Sequence, residues 1–253
     1  MQTLLNIALS GMGQMGQAIE RIAVEQGHEV VARFDLDAPV PDSIRGFEGA
    51  DVIDFTSPSA VLEHIQGYCK AGIPAVIGTT GWYDALPLVE AWVAEHDATV
   101  LYAPNFSIGV ALLVEAVRAV APYLNALPEY DVFVHEAHHT NKIDSPSGTA
   151  LHLAKQILRG MERKTRIEVE AQHGRIAPDA LHVSSTRVGH VFGRHEVGID
   201  GVYDQISLIH DAKSRNGFAY GAIRAAGWIQ GRKGLFTLDD VLADWLAGAS
   251  STT

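Results

Sequence analysis

Leu4-Leu5-Asn6-Ile7-Ala8-Leu9-Ser10-Gly11-Met12-Gly13-Gln14-Met15-Gly16 runs an apolar segment into a G-x-G-x-x-G loop, and a helical pattern over Met15–Gln26 follows. Strand, glycine loop and helix in that order are the context that gives this pattern meaning. Each glycine has a separate reason: Gly11 for a tight turn, Gly13 for approach of backbone N–H groups to a pyrophosphate, Gly16 for close helix–strand packing. Met12, Gln14 and Met15 complete the loop, and the N-terminus of the helix faces the anion. Asp35 follows about 20 residues later, at the end of the next strand pattern, Glu29–Phe34, where a carboxylate accepts hydrogen bonds from ribose hydroxyls. The stretch predicts a dinucleotide-binding unit.

Working outward, Asp51–Phe55, Ala75–Ile77 and Thr99–Ala103 are short apolar runs separated by helix-length segments, as in a parallel sheet with crossover helices. After Ala103 the character changes. Ile108–Ala121 is a long apolar helical run that Pro122 is expected to end, and Asp131–Glu136 reads as a strand. Ser147–Leu158 has helical spacing, with Gly160 placed as its C-terminal stop. Arg166–Glu170, Leu181–Val188, Glu196–Ile199 and Gln205–His210 then read as strands of an antiparallel or mixed sheet. From Arg215 to Gln230 an Ala-rich helical pattern returns, expected to pack back on the first domain. The tail Gly248–Thr253 is small and polar and is expected to fray. The expected fold class is α/β: a Rossmann-like N-terminal dinucleotide-binding domain over 1–106 and 216–253, joined to an α+β domain with a mixed sheet over 107–215.

Length and composition narrow the function. A chain of 253 residues with 47% hydrophobic residues buries a core without disulfides. The single cysteine, Cys69, excludes an intramolecular disulfide and suits a reducing compartment, so the cytoplasm is expected. The net charge of −11 argues against a nucleic-acid partner or an anionic membrane surface. Met1-Gln2-Thr3 lacks the basic start of a signal peptide, and Glu115 and Arg118 interrupt the most apolar stretch, so no membrane association is expected. Anions must therefore be bound by locally concentrated positive groups, and the 12 histidines are the first place to look.

Two further segments leave the carboxyl ends of predicted strands, where open parallel sheets bind ligands. Gly78-Thr79-Thr80-Gly81 offers flexible backbone and two hydroxyls, and Ala103-Pro104-Asn105-Phe106-Ser107 follows the next strand. Either lines a nicotinamide or is an ordinary turn. Ser57-Pro58 belongs to the same rim by position but shows no distinctive chemistry. Asp35 is followed by Leu36 and Asp37, with no arginine to receive a 2′-phosphate, so NADH is expected to serve at least as well as NADPH. Arg33 complicates this, although a solvated strand-end charge is its simpler reading.

The polar chemistry concentrates in His135-Glu136-Ala137-His138-His139-Thr140-Asn141-Lys142-Ile143-Asp144-Ser145-Pro146-Ser147-Gly148-Thr149-Ala150. Ser147 is a plausible N-cap, and free N–H groups around Gly148 and Thr149 suit a carboxylate. His138, His139 and Lys142 supply a titrating acid and positive charge, as a carboxylate substrate with a reducible double bond requires. A metal is the rival use of such histidines, but no H-E-x-x-H helix is present and a neighbouring lysine repels a cation, so none is expected. Asp144 either orients Lys142 or simply forms a turn. His28, His64 and His96 read as solvated residues at helix ends or turns.

The run Glu136-Ala137-His138-His139-x-x-Lys142-x-Asp144-x-Pro146-Ser147-Gly148-Thr149-Ala150 resembles the signature of the bacterial dihydrodipicolinate reductase family. Agreement extends through the glycine loop, Gly78–Gly81, Asn105-Phe106-Ser107-x-Gly109, Arg187-x-Gly189 with Gly193-x-His195, and His210-x-Ala212-x-Ser214-Arg215 onward, in the same order. The resemblance implies reduction of 4-hydroxy-tetrahydrodipicolinate, by way of dihydrodipicolinate, to tetrahydrodipicolinate in the diaminopimelate route to lysine. It implies His138 as proton donor or acceptor, Lys142 as proton donor, and His139, Gly148 and Thr149 as ligands of the dicarboxylate, to which the reading of the residues themselves adds the Ser147 hydroxyl. The nicotinamide cofactor falls to Gly11–Gly16, Asp35, Gly78, Thr79, Thr80 and Ala103–Phe106. Residues 107–215 become a substrate-binding and tetramerisation domain, the whole a homotetramer, with closure around Arg215 excluding water. Many members carry a basic residue at Gln14 and an arginine near Leu36, so this chain has lost positive charge beside the cofactor phosphates, and its loops between Gly160 and His195 are short. Two other readings are another two-domain dehydrogenase of the aspartate pathway, disfavoured by the Pro-Ser-Gly-Thr-Ala segment, and a nicotinamide-binding sensor without turnover, disfavoured by the intact His138, His139 and Lys142.

Overall fold

A computed structural model describes residues 3–35 and 49–250. The chain divides into two compact units, Met1–Ile108 with Arg215–Thr253, and Gly109–Ser214.

The first unit is built on a six-stranded parallel sheet of order β11-β5-β4-β3-β1-β2. Its elements are β1 (Asn6–Ser10), α1 (Gln14–Glu25), β2 (Glu29–Phe34), β3 (Asp51–Asp54), α2 (Val61–Ala71), β4 (Ala75–Ile77), α3 (Leu86–Glu95) and β5 (Thr99–Tyr102). After the second unit come α6 (Asn216–Trp228), β11 (Gly234–Thr237) and α7 (Leu238–Ser250). The central strands β3 and β4 are buried throughout, as expected of strands covered on both faces, whereas the edge strand β2 alternates. Helix α6 packs on α1, β3 and β4, while α2 and α3 pack together over Val52, Ile65, Tyr68, Ile77 and Val100. Strand order reverses between β1 and β3, the crevice where open α/β sheets bind ligands.

The second unit contains α4 (Ile108–Ala126), β6 (Asp131–His138), α5 (Gly148–Gly160), β7 (Arg166–Glu168), β8 (Ala180–Arg187), β9 (Arg194–Asp200) and β10 (Gln205–Asp211). Its sheet has order β10-β9-β6-β8-β7 and is mixed: β6, β7 and β8 pair in parallel, while β9 runs antiparallel to β6 and β10. Leu113, Val117 and Leu124 of α4 join Leu153 and Ile157 of α5 over Val134, Val183 and Val197 on one face of this sheet. Helix α4 is long and apolar enough to cross a membrane by composition, but these residues bury it as a core helix.

Several details differ from the sequence reading. Helix α4 continues through Pro122 to Ala126. A helical proline removes one N–H donor, and here the segment is held instead by packing against α5. Gly160 is the last residue of α5, and a Cβ there would lie 2.7 Å from Ala121 Cβ and 3.3 Å from Pro122 Cδ, so its role is close approach rather than a left-handed stop. Strand β6 runs two residues further than expected, to His138. Strand β11 and helix α7 escape the periodicity reading because β11 is four residues of mixed polarity, and α7 carries Gly248–Ser250 within the helix. Residues Leu36, Asp37 and 251–253 lie outside the described residues.

Candidate active site

Alternation along β6 sends its even-numbered side chains to the helix-covered face, so Val132 and Val134 enter the apolar core and Glu136 and His138 follow on the same side. Register places His138 opposite Arg187 of β8, Glu136 opposite His195 of β9, and His195 opposite His210 of β10. The core thus ends in a cluster of polar side chains. Glu136, fully buried, accepts from Arg187 NH1 at 2.9 Å and NH2 at 2.8 Å, from the Ser147 amide at 3.1 Å, and from His138 Nδ1. Burial alone would raise its pKa, but the Arg187 fork, His138, the Ser185 hydroxyl and the Ser147 amide together outweigh burial and hold it down at about 2. Burial depresses the pKa of His138 despite the Glu136 carboxylate, and burial with the neighbouring His138 lowers His195 to about 4. The His138 and His195 rings meet edge-on with centroids 5.1 Å apart.

The loop after β6 is fastened at both ends. The Val188 amide donates to His138 O at 2.9 Å and the Thr140 amide to Gly189 O at 3.3 Å, which extends the ladder one step beyond the strands. A turn closed by Lys142 N–H on His139 O, 3.1 Å, then presents Lys142, whose Nζ lies 2.7 Å from Asp144 Oδ1. Burial opposes ionisation of Asp144, but Lys142 and the Gly148 amide hold its carboxyl below the ordinary range. Arg187 NH2 also donates to Asp144 O at 2.6 Å. Ser147 caps α5 as expected, its Oγ accepting from the Ala150 amide at 3.2 Å and lying 3.2 Å from His195 Nε2. Gly148 is exposed, with nothing within 4 Å of where its Cβ would be.

One hydrogen-bonded assembly therefore links His138, Lys142 and Ser147, with Gly148 and Thr149 opening α5 beside it and His139 half-buried at the start of the loop. The sequence reading gave no role to Glu136, Arg187 or His195. The signal for Glu136 was present: two apolar residues at alternate positions of one strand, continued by Glu136 and His138 in the same phase, place a carboxylate on a core face.

The expected dinucleotide residues lie at the carboxyl ends of β1, β2, β4 and β5 in the first unit. Gly11 has φ +87°, and a Cβ there would lie 2.3 Å from Phe55 O. A Cβ at Gly16 would strike Gly11 O at 2.0 Å, and one at Gly78 the Phe55 ring at 2.1 Å. Gly13 and Gln14 are exposed where α1 begins without a side-chain cap, with Met12 and Met15 half-buried beside them and open space at the Gly13 Cβ position. Asp35 is exposed beyond the end of β2. Uncapped amides, an open glycine and an exposed carboxylate fit a dinucleotide. Thr80 and Pro104 face solvent, Asn105 is half-buried and accepts from the Ser107 amide at 2.7 Å, and Ala103 and Phe106 are buried, the latter against Phe55.

Thr79 turns inward. Its hydroxyl donates at 3.3 Å to Asp54, a fully buried carboxylate at the end of β3 that also accepts from the Thr56 amide (3.0 Å), Thr56 Oγ1 (2.7 Å) and Tyr68 OH (2.9 Å), with His64 Nδ1 at 2.9 Å. Among the histidines read as solvated, His64 thus joins a buried network. His28 is buried too, accepting the Leu5 amide at Nδ1, 3.2 Å, because the chain turns inward there to start β2. Arg33 is not a free solvated charge: Glu20 binds it at 2.7 and 2.6 Å. No cluster of three or more metal-ligating side chains occurs among the described residues.

A glycine-loop parallel sheet joined to an α+β unit with a buried acid–base cluster defines a two-unit nicotinamide-dependent oxidoreductase. Comparison with known proteins makes this specific. The N-terminal domain of dihydrodipicolinate reductases matches residues 5–106 and the C-terminal domain residues 109–242. A 4-hydroxy-tetrahydrodipicolinate reductase of Christiangramia forsetii is 39% identical over 240 residues, 95% of this chain and 98% of that protein. Another, from Archaeoglobus fulgidus, is 35% identical over 261 residues, 94% of this chain and 100% of that protein. The chain belongs to the dihydrodipicolinate reductase family, and its first unit is the family's NAD(P)-binding domain. A dipicolinate-bound dihydrodipicolinate reductase from Paenisporosarcina sp. TG-14 shares the fold, with a TM-score of 0.74 at 23% identity over 93% of this chain and 98% of that one.

Proposed function

We propose that His138, His139, Lys142, Ser147, Gly148 and Thr149 form the substrate site of a nicotinamide-dependent reduction of a cyclic imine dicarboxylate. As a member of its family the chain is an oxidoreductase with 4-hydroxy-tetrahydrodipicolinate reductase activity in lysine biosynthesis. The observation that carries the residue assignment is the fastened turn that holds Lys142 beside the exposed start of α5. A substrate carboxylate would lie on the Gly148 and Thr149 amides, with His139 and the Ser147 and Thr149 hydroxyls orienting it. Lys142, partly exposed and paired with the surface carboxylate of Asp144, would give a proton as negative charge builds on the substrate ring, and solvent would restore it. A bound nicotinamide supplies hydride. On this chain its holders are Gly11, Met12, Gly13, Gln14, Met15, Gly16, Asp35, Gly78, Thr79, Thr80, Ala103, Pro104, Asn105 and Phe106.

NADH is expected to serve at least as well as NADPH, because the Arg33 guanidinium is already engaged by Glu20 while Asp35 stays exposed. The sheet face of the second unit away from α4 and α5 carries Phe133, His135 and Ile209, and it is the surface we assign to a homotetramer. A cytoplasmic location accords with the one cysteine, Cys69, buried with its thiol pKa pushed up to about 11. The test is oxidation of NADH and NADPH with substrate generated by the preceding synthase: consumption only when the synthase is present supports the reading, and cofactor binding without turnover overturns it. Lys142→Ala and His138→Gln should each lower kcat by about 10²–10⁴. Values within about threefold of wild type would remove these residues from the chemistry.

A further inference from the structure

The Glu136 carboxylate stands at the centre of the second unit's site, and nothing in the reaction as written requires it. Its accepting positions are taken up by two donors of the Arg187 fork, the Ser147 amide and His138, with the Ser185 hydroxyl alongside. A carboxylate so bound has no proton to give, so the ring nitrogen facing it must carry one. The groups facing His138 are Glu136 on its own strand, Lys142 in the following loop, Arg187 on β8 and His195 on β9, with His210 beyond His195 on β10. Two of these are cations, Lys142 and Arg187, and both resist a second proton on the ring.

We infer that Glu136 is a positioning residue that fixes His138 as the Nδ1–H tautomer, leaving Nε2 a bare acceptor, and that the same carboxylate aims the start of α5 through the Ser147 amide. The inference rests on the substrate site proposed above. It divides the labour between the two candidate acid–base residues: His138 offers only a hydrogen-bond acceptor at Nε2, and the one proton that the reduction consumes falls to Lys142. Space for that role exists, because a Cβ on Gly193 would lie 2.9 Å from His138 Nε2, and the φ of +152° at Gly193 favours a residue without one. Register and burial do the rest, since the alternation that sends Glu136 inward sends His138 after it.

Glu136→Gln is the direct probe. Its amide would donate to the ring where the carboxylate accepts, and so would move the His138 proton to Nε2. The first measurement is the ¹⁵N spectrum of the histidines of the wild-type protein at neutral pH, with His138 assigned by His138→Gln. A protonated Nδ1 and bare Nε2 are expected, and a protonated Nε2 overturns the proposal. In Glu136→Gln the tautomer should switch and kcat should fall by about 10–100-fold with the KM for NADH unchanged. Glu136→Asp, which keeps the charge but shortens the reach, should retain the wild-type tautomer and recover part of kcat. An unchanged tautomer with kcat within twofold of wild type in Glu136→Gln also overturns it. Failure of the reductase reading looks different: the wild type would not oxidise cofactor with synthase-generated substrate, whatever the His138 tautomer.

Discussion

Among the described residues each unit has one fully buried carboxylate near the carboxyl end of a strand, Asp54 on β3 and Glu136 on β6, and the two are satisfied in opposite ways. Asp54 is held by an amide, three hydroxyls and an imidazole; Glu136 is held by a guanidinium fork, an imidazole and an amide. The Asp54 network ties the β3 end to Thr79 and so shapes a loop. The Glu136 network joins one end of a helix, a histidine and, through Arg187 and Asp144, the turn carrying Lys142. In the function proposed above, the first shapes a rim for a cofactor that brings its own reactivity, while the second supports the side chains assigned to proton transfer.

The contrast is broken most severely at Lys142. Lys142→Ala should cost about 10²–10⁴ in kcat with little change in NADH affinity, whereas Asp54→Asn should raise the KM for NADH and leave kcat within a few-fold; steady-state kinetics with each cofactor separate the two patterns. Next in size, Arg187→Ala strands the buried Glu136 charge and should lower stability by about 3 kcal/mol in urea unfolding. Asp54→Asn keeps a polar group among neutral donors and should cost about 1–2 kcal/mol.

Acid should also distinguish the units. The His195 imidazole has a pKa of about 4 in the folded protein against 6.5 ordinarily, so between those values the unfolded chain binds a proton that the folded one refuses. Its contribution is whole above pH 6.5 and is lost on descent to pH 4. Glu136 adds a second loss between 4.5 and about 2. In the first unit Asp51, raised by burial to about 6 from 3.8, runs the other way: its contribution is whole below 3.8 and gone above 6. Hydrogen exchange from pH 7 to pH 5 should therefore loosen the second unit relative to the first, and His195→Asn should reduce the difference. The smallest effect is at Gly160, where alanine must push Ala121 or Pro122 aside and should cost about 1 kcal/mol; a loss below about 0.5 kcal/mol would show that α4 yields freely.

The first unit was the more legible in sequence, because glycine loop, apolar strands and crossover helices are local patterns. Gly11, Gly16 and Gly78 advertise backbone constraints at their own positions. The site of the second unit was legible only where its residues are consecutive, from His138 to Thr149. Arg187 and His195 reach it through pairings across the sheet, from residues about 50 positions downstream, and no periodicity announces register. The same holds for Asp54, which reads as the end of an apolar strand until Thr79, 25 residues on, is folded against it. Pro122 misled because a proline rule is local while the packing that keeps α4 helical comes from α5.

Phe55 touches both motifs of the first unit, its carbonyl oxygen blocking a side chain at Gly11 and its ring blocking one at Gly78. One neighbour thus faces both glycines, Gly11 through its main chain and Gly78 through its ring. In relatives where position 55 carries a smaller residue, position 78 should be released from glycine first, because it answers to the ring, while position 11, which answers to the main chain, should stay fixed.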